Sequence, residues 1–179
     1  MKTLTLLRHA KSGWDDPVAR DFDRPLNAKG RRAAIAMGRH WRQIDLDFDH
    51  IIASPAVRVE QTLEEVESGY GRTLAPAWDR RLYLASAATL LDVVRELPDT
   101  LSRVLLVGHN PGLEELVLLL AGDSDDALRD AVEEKYPTAT LAELALGADR
   151  WGDAKPGGAT LTRFIRPRDL DASLGPDEG

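Results

Sequence analysis

Cysteine is absent from all 179 residues. Disulfides, thiolate nucleophiles and Cys-ligated metal sites are therefore excluded. Nor is there an apolar run near the roughly 20 residues that a membrane-spanning helix needs. No basic segment followed by an apolar one opens the chain as a secretory signal would. A cytoplasmic location with no membrane partner is expected. An excess of basic charge is missing as well: 23 Lys and Arg stand against 30 Asp and Glu, a net charge of −7. A nucleic-acid partner requires a basic face to displace counterions, so none is expected. A local positive pocket stays compatible with this balance, because much of the acid lies in 122–134 and at the C-terminus.

What is present suits an ordinary globular chain, with 43% hydrophobic and 30% charged residues. The length fits one domain with a substantial core. We expect that domain over residues 1–168, with a flexible tail over 169–179 where apolar residues are few. Strand-like and helix-like segments alternate through the first half, which predicts an α/β fold with much parallel pairing. Leu4, Leu6 and Leu7 mark a first buried strand, 51–53 a second and 103–107 a third. Asn27 reads as the cap of a helix carrying Ala34, Met37, Gly38 and Trp41 at helical spacing. Ser54-Pro55 reads as the cap and first position of another, with Val59, Leu63 and Val66 on its core face. Ser86 opens a third helix that stops near Pro98, and Pro111 starts a fourth that Gly122 ends. Segments 138–146 and 159–165 look like strands joined through Gly157-Gly158, fit to pair antiparallel.

Two apolar strands end in histidine. His9 follows Leu-Thr-Leu-Leu-Arg, and His109 follows Val-Leu-Leu-Val-Gly. One such residue is most simply a packed core or loop histidine. Two of them, at the strand ends where open α/β sheets hold their ligands, suggest one site with two imidazoles. Arg8 follows a buried strand, where a charged side chain needs a partner. Arg58 falls in the first turn of the second helix, whose N-terminus favours anions. On its own it would pass for a surface arginine. Arg8, His9, Arg58 and His109 together make a cationic pocket suited to a phosphoryl group.

These residues stand in four motifs in a fixed order: Arg8-His9-Ala10; Asp23-Arg24-Pro25-Leu26-Asn27 with Gly30; Ser54-Pro55-Ala56-Val57-Arg58 running to Gln61-Thr62; and Gly108-His109-Asn110-Pro111-Gly112. Over most of residues 2–168 the chain resembles the histidine phosphatase superfamily, and within it the short SixA-like phosphohistidine phosphatases. The resemblance implies a three-layer α/β/α, phosphoglycerate mutase-like fold with a mostly parallel central sheet. It implies His9 as the nucleophile that carries the phosphoryl group, with Arg8, Arg58 and His109 binding its oxygens. It implies no cofactor and no metal, since the arginines and histidines supply the positive charge.

Ala10 stands where the wider family has glycine. Relatives that cleave phosphate esters often carry a carboxylate proton donor in a segment matching 79–84, and Leu84 occupies that position. Losing a general acid costs about 10²–10⁴-fold when an alcohol must leave. An imidazole leaving group has a pKa near ~6.5 and depends on it less. Asp15, Asp21, Asp23 and Glu114 stay open as other proton donors. Lys11 and Ser12 are candidate phosphate contacts, with a local turn the competing role for Ser12. Trp14 either lines the pocket mouth or packs. His40 and His50 lack motif partners and read as structural. The acidic stretch 122–134 reads as solvated surface rather than a lid.

The expected activity is dephosphorylation of phosphohistidine on a protein, with a histidine phosphotransfer domain as partner and a monomer as the working unit. The alternative is a phosphomonoesterase for a small phosphorylated substrate, such as a sugar phosphate or nucleotide. A mutase would also need acid–base help. A phosphate-binding module without turnover would not need His9.

Overall fold

The structure is a computed structural model and describes residues 2–13, 20–122 and 127–175. Its centre is β1 (Lys2–Arg8), whose inner residues are almost fully buried. On one side β1 pairs in parallel with β4 (Arg103–Gly108), and β4 with β2 (His50–Ala53). A two-residue edge strand, β3 (Ala77–Trp78), completes that side. On the other side β5 (Leu141–Leu146) pairs antiparallel with β1, and β6 (Ala159–Ile165) with β5. The hairpin foreseen from the sequence is this β5–β6 pair.

Both faces of the sheet are covered, which is why the central strands are largely apolar, with Thr5 the buried polar residue inside β1. Alternate residues serve opposite layers. Leu4, Leu6, Val104 and Leu106 pack with α3 (Ala87–Arg95), α4 (Gly112–Ala121) and α5 (Ala127–Glu134). Leu7, Leu105 and Val107 pack with α1 (Ala28–Gln43) and α2 (Val57–Tyr70). The result is the three-layer α/β/α architecture.

Several local signals act as their chemistry predicts. The Asn27 side chain accepts from the Gly30 amide and caps α1. Ser86 likewise caps α3 through the Thr89 amide. Two expectations need correction. Ser54 does not cap α2, which begins three residues later at Val57, because Ser54 to Ala56 stay extended or irregular. Residues 169–175 do not form a loose tail. Helix α6 (Pro167–Leu170) leads into a 3₁₀ turn at Ala172–Leu174, and Leu174 is buried in the α1 layer. Leu174, with Leu170 packed partly buried against the same cluster, supplies that anchor, too little to register as a pattern. Among the described residues no helix is long and apolar enough to cross a membrane.

Candidate active site

The register of the sheet sets Arg8 directly beside Gly108, so His9 and His109 leave adjacent parallel strands side by side. Their ring centroids are 5.2 Å apart at an interplanar angle of 53°. Both rings are buried. Arg58, the second residue of α2, reaches between them. Its Nε donates to His9 Nε2 and its Nη2 to His109 Nδ1, both at 3.4 Å.

The partners settle the proton on each ring, because a carbonyl only accepts and a guanidinium only donates. His9 Nδ1 lies 2.7 Å from the Ala10 carbonyl and must donate to it. The lone pair of His9 therefore sits on Nε2, facing Arg58. His109 Nδ1 accepts from Arg58, so Nε2 carries the hydrogen and donates to Ser54 Oγ at 2.8 Å. Burial above all, then the nearby His109, Arg58 and Arg8, push the titration of His9 well below the ordinary histidine range; the hydrogen bond to Ala10 opposes this. Burial and Arg58 lower His109 to about 3. Both imidazoles are neutral at neutral pH.

A short chain of bonds ties the segment that follows His9 to the helix of Arg58. The Ala10 amide donates to Thr62 Oγ1 at 2.8 Å, and that hydroxyl donates to the Arg58 carbonyl at 2.6 Å. Arg8 donates through Nη1 to the Tyr136 carbonyl at 2.9 Å. Its Nε is buried without a partner among the described residues. An unsatisfied buried donor of this kind costs about 1–3 kcal/mol, and a phosphoryl oxygen would satisfy it.

The outer edge of Arg58 is held by Asp21. Nη1 donates to the Asp21 carbonyl at 2.8 Å and Nη2 to its carboxylate at 3.0 Å. Tyr83 donates its hydroxyl to the same carboxylate at 2.6 Å and sets its ring edge-on to His109 at 5.4 Å. Arg24 binds the other carboxylate oxygen at 3.0 Å. Partial burial pushes the Asp21 carboxyl up, but the bonds from Tyr83, Arg24 and Arg58 outweigh it and hold it well below the usual carboxylate range.

His9, Arg58 and His109 thus come together, with Arg8 close enough to lower the titration of both histidines. Lys11 lines a groove that also contains Arg8. Ser12 is engaged through its backbone, in a bridge to Leu26. Asp23 pairs with Arg20. The Glu114 carboxyl is pushed up by burial, against the pull of Arg8. Leu84 is half exposed, with φ at +50°. His40 lies on α1, and His50 starts β2 at the end away from Ser54. Asp15, Trp14 and part of 122–134 fall outside the described residues. Tyr83, and Asp21 as an anchor for arginine, went unrecognised in the sequence. They lie 62 residues apart, and nothing local marks that contact.

Residues 4–82 match the family model of the histidine phosphatase superfamily (branch 1). An uncharacterised protein of Mycobacterium tuberculosis (strain ATCC 25618 / H37Rv) is 36% identical over 90% of this chain and all of its own length. A presumptive phosphohistidine phosphatase SixA from Nakamurella multipartitia superposes with a TM-score of 0.78 at 30% identity, covering 93% of this chain and 96% of that one. Its counterpart from Agrobacterium tumefaciens gives 0.77 at 29%, covering 93% and 98%.

Proposed function

Because this chain belongs to the histidine phosphatase superfamily (branch 1), we propose that it is a phosphohistidine phosphatase acting on a phosphorylated protein through a phosphoryl group held on His9. The Nε2 lone pair of His9 attacks phosphorus in line, a P–Nε2 bond forms, and the P–N bond to the substrate imidazole breaks. Arg8 and Arg58 bind the equatorial oxygens and stabilise the charge redistributed in the transition state. His109 joins them once its Nδ1 carries a proton. Water then attacks phosphorus, the P–Nε2 bond breaks, and the water's hydrogens leave with the phosphate.

The observation that carries this reading is the pairing of a neutral nucleophilic imidazole with an ionised carboxylate. Asp21, the carboxylate hydrogen-bonded to Arg58, is held too acidic to donate a proton at neutral pH. Transfer from one imidazole to another exchanges a P–N bond for a P–N bond and makes little demand for an acid. An alkoxide leaving group would need one.

The test compares turnover of a phosphohistidine peptide with that of alkyl phosphates, for the wild type and His9→Ala. We expect the peptide to be favoured by about 10²-fold or more in kcat/KM, the low end of what a missing general acid costs an ester. His9→Ala should abolish turnover while still binding phosphate. Efficient, His9-dependent ester hydrolysis would overturn the leaving-group assignment and leave a phosphomonoesterase.

A further inference from the structure

The residue that grips Arg58 carries a charge that works against substrate binding. Cations draw a phosphoryl group to this centre, and a carboxylate beside them repels it. Asp21 nonetheless holds an ionised carboxylate oxygen 3.0 Å from Arg58 Nη2. The geometry of the grip shows what is gained in return. A guanidinium has five N–H bonds in one rigid plane. Asp21 takes one from Nη1 with its carbonyl and one from Nη2 with its carboxylate. Two held points on a plane fix its rotation. They thereby fix the direction of Nε and of the inner Nη2 hydrogen, which face His9 Nε2 and His109 Nδ1.

Asp21 is itself braced from several sides. The Tyr83 hydroxyl donates to the same carboxylate oxygen as Arg58, at 2.6 Å, and Arg24 holds the other oxygen at 3.0 Å. The Arg24 amide donates to the Asp21 carbonyl at 3.1 Å, and its Nε reaches the Gly13 carbonyl at 3.4 Å. Phe22 packs against the α1 layer and meets the Tyr83 ring edge-on at 5.1 Å. Through these contacts the carboxylate joins α2, the segment 20–24, the turn that ends at Tyr83 and, by way of Arg24, the loop after His9. A charge that only offset Arg58 through solvent would need no such bracing.

We propose that Asp21, braced by Tyr83, is a positioning residue for phosphoryl transfer, giving up ground-state attraction for the substrate in exchange for a guanidinium aligned on the transition state. The inference rests on His9 as the phosphoryl acceptor, not on the identity of the leaving group. Asp21 acts through Arg58 and not on the reacting atoms. An arginine fork held in one orientation meets the equatorial oxygens as their charge redistributes, with no reorganisation left to make.

The test uses 4-nitrophenyl phosphate, whose phenolate leaves without a positioned acid, so that transfer to His9 is read whatever the natural leaving group. Turnover is measured for the wild type, His9→Ala, Asp21→Ala, Tyr83→Phe and Asp21→Ala/Tyr83→Phe, and binding of inorganic phosphate by calorimetry on each. In Asp21→Ala we expect kcat to fall about 10- to 100-fold. Phosphate should bind at least as tightly as to the wild type, because a negative charge has gone. A role in folding alone would lower kcat and phosphate affinity together. Tyr83→Phe keeps the ring against His109 and loses only the hydroxyl. Its kcat should fall by up to about tenfold, and the change should cost little more once Asp21 is absent. Three results each overturn the inference: wild-type kcat in Asp21→Ala, phosphate affinity lost by the same factor as kcat, or a Tyr83→Phe effect as large without Asp21 as with it. Turnover that survives His9→Ala overturns His9 as the acceptor, and this inference with it. Turnover abolished by His9→Ala but intact in Asp21→Ala overturns this inference alone.

Discussion

The two nitrogens of His109 meet partners of different character, and the difference has a mechanistic use. Arg58 can only donate, so Nδ1 of the resting ring must accept, and Nε2 donates to Ser54 Oγ. A phosphoryl oxygen facing Nδ1 would demand the reverse. Ser54 can supply it, because a hydroxyl both accepts and donates. Transfer of the ring hydrogen from Nε2 to Nδ1, with rotation of that one O–H to donate to the vacated Nε2, lets His109 present an N–H to phosphate without becoming cationic. Ser54→Ala removes the partner from a buried ring nitrogen. We expect kcat to fall about 10- to 100-fold, the ~1.4–2.7 kcal/mol of one hydrogen bond to a reacting centre, with phosphate affinity weakened in parallel. Ser54→Thr should retain most activity, which steady-state kinetics of the two variants would establish. The residue scale also shows where reading a sequence stops. Ser54 before Pro55 carries every local mark of a helix cap, and its hydroxyl does accept from the Ala56 amide at 3.3 Å. Its other partner lies 55 residues away, and only the parallel pairing of β2 with β4 brings it there.

Between elements, the tightest contact is the crossing of α1 and α2, and glycine makes it possible. A Cβ on Gly38 would stand 2.1 Å from the Val66 carbonyl, and one on Gly69 would stand 2.2 Å from the Ile35 carbonyl. The two helices approach backbone to backbone, reciprocally. That closeness is what sets Arg58 on α2 against the strand ends. Gly69→Ala would gain about 1 kcal/mol in helix propensity. The steric conflict with backbone should exceed it, for a net loss of about 2 kcal/mol. A lower urea midpoint with an unchanged m-value would register this, and a concurrent drop in kcat would show that the helix, and Arg58 with it, has moved. At this scale the sequence was informative. Gly38 fell on the predicted core face, and strands β1, β2 and β4 were marked by their apolar runs. What escaped notice had little pattern to offer: β3 is two exposed residues, and the last helical turn is anchored by Leu174 with Leu170 beside it.

Across the whole molecule, the two buried neutral imidazoles link folding to pH. The unfolded chain binds protons at each histidine near pH ~6.5, while the folded one resists down to about 3 at His109 and stays well below the ordinary value at His9. A depressed folded-state titration means the stabilisation is complete above pH ~6.5 and is lost as pH falls toward the folded value. Two such groups give a slope of about 2.7 kcal/mol per pH unit between pH 6 and 5. The window lies above the one in which Asp21 adds its own acid sensitivity, because its carboxyl is held below the usual range and titrates, when unfolded, near ~3.9. Urea titrations at pH 7, 6 and 5 measure the slope. His9→Asn/His109→Asn should flatten it, and a wild-type stability constant over this range would contradict neutral imidazoles in the folded chain.

The central position of β1 carries one more consequence. Its parallel partner β4 arrives a hundred residues later and brings His109, while Arg58 comes from the helix between them. No contiguous fragment short of residues 9–109 holds the three side chains. A chain cut in the exposed turn after Pro98 would leave His9 and Arg58 on one piece and His109 on the other, each inert alone. Recovery of turnover on mixing the halves would then count, molecule by molecule, how many had knitted the middle of the sheet back together.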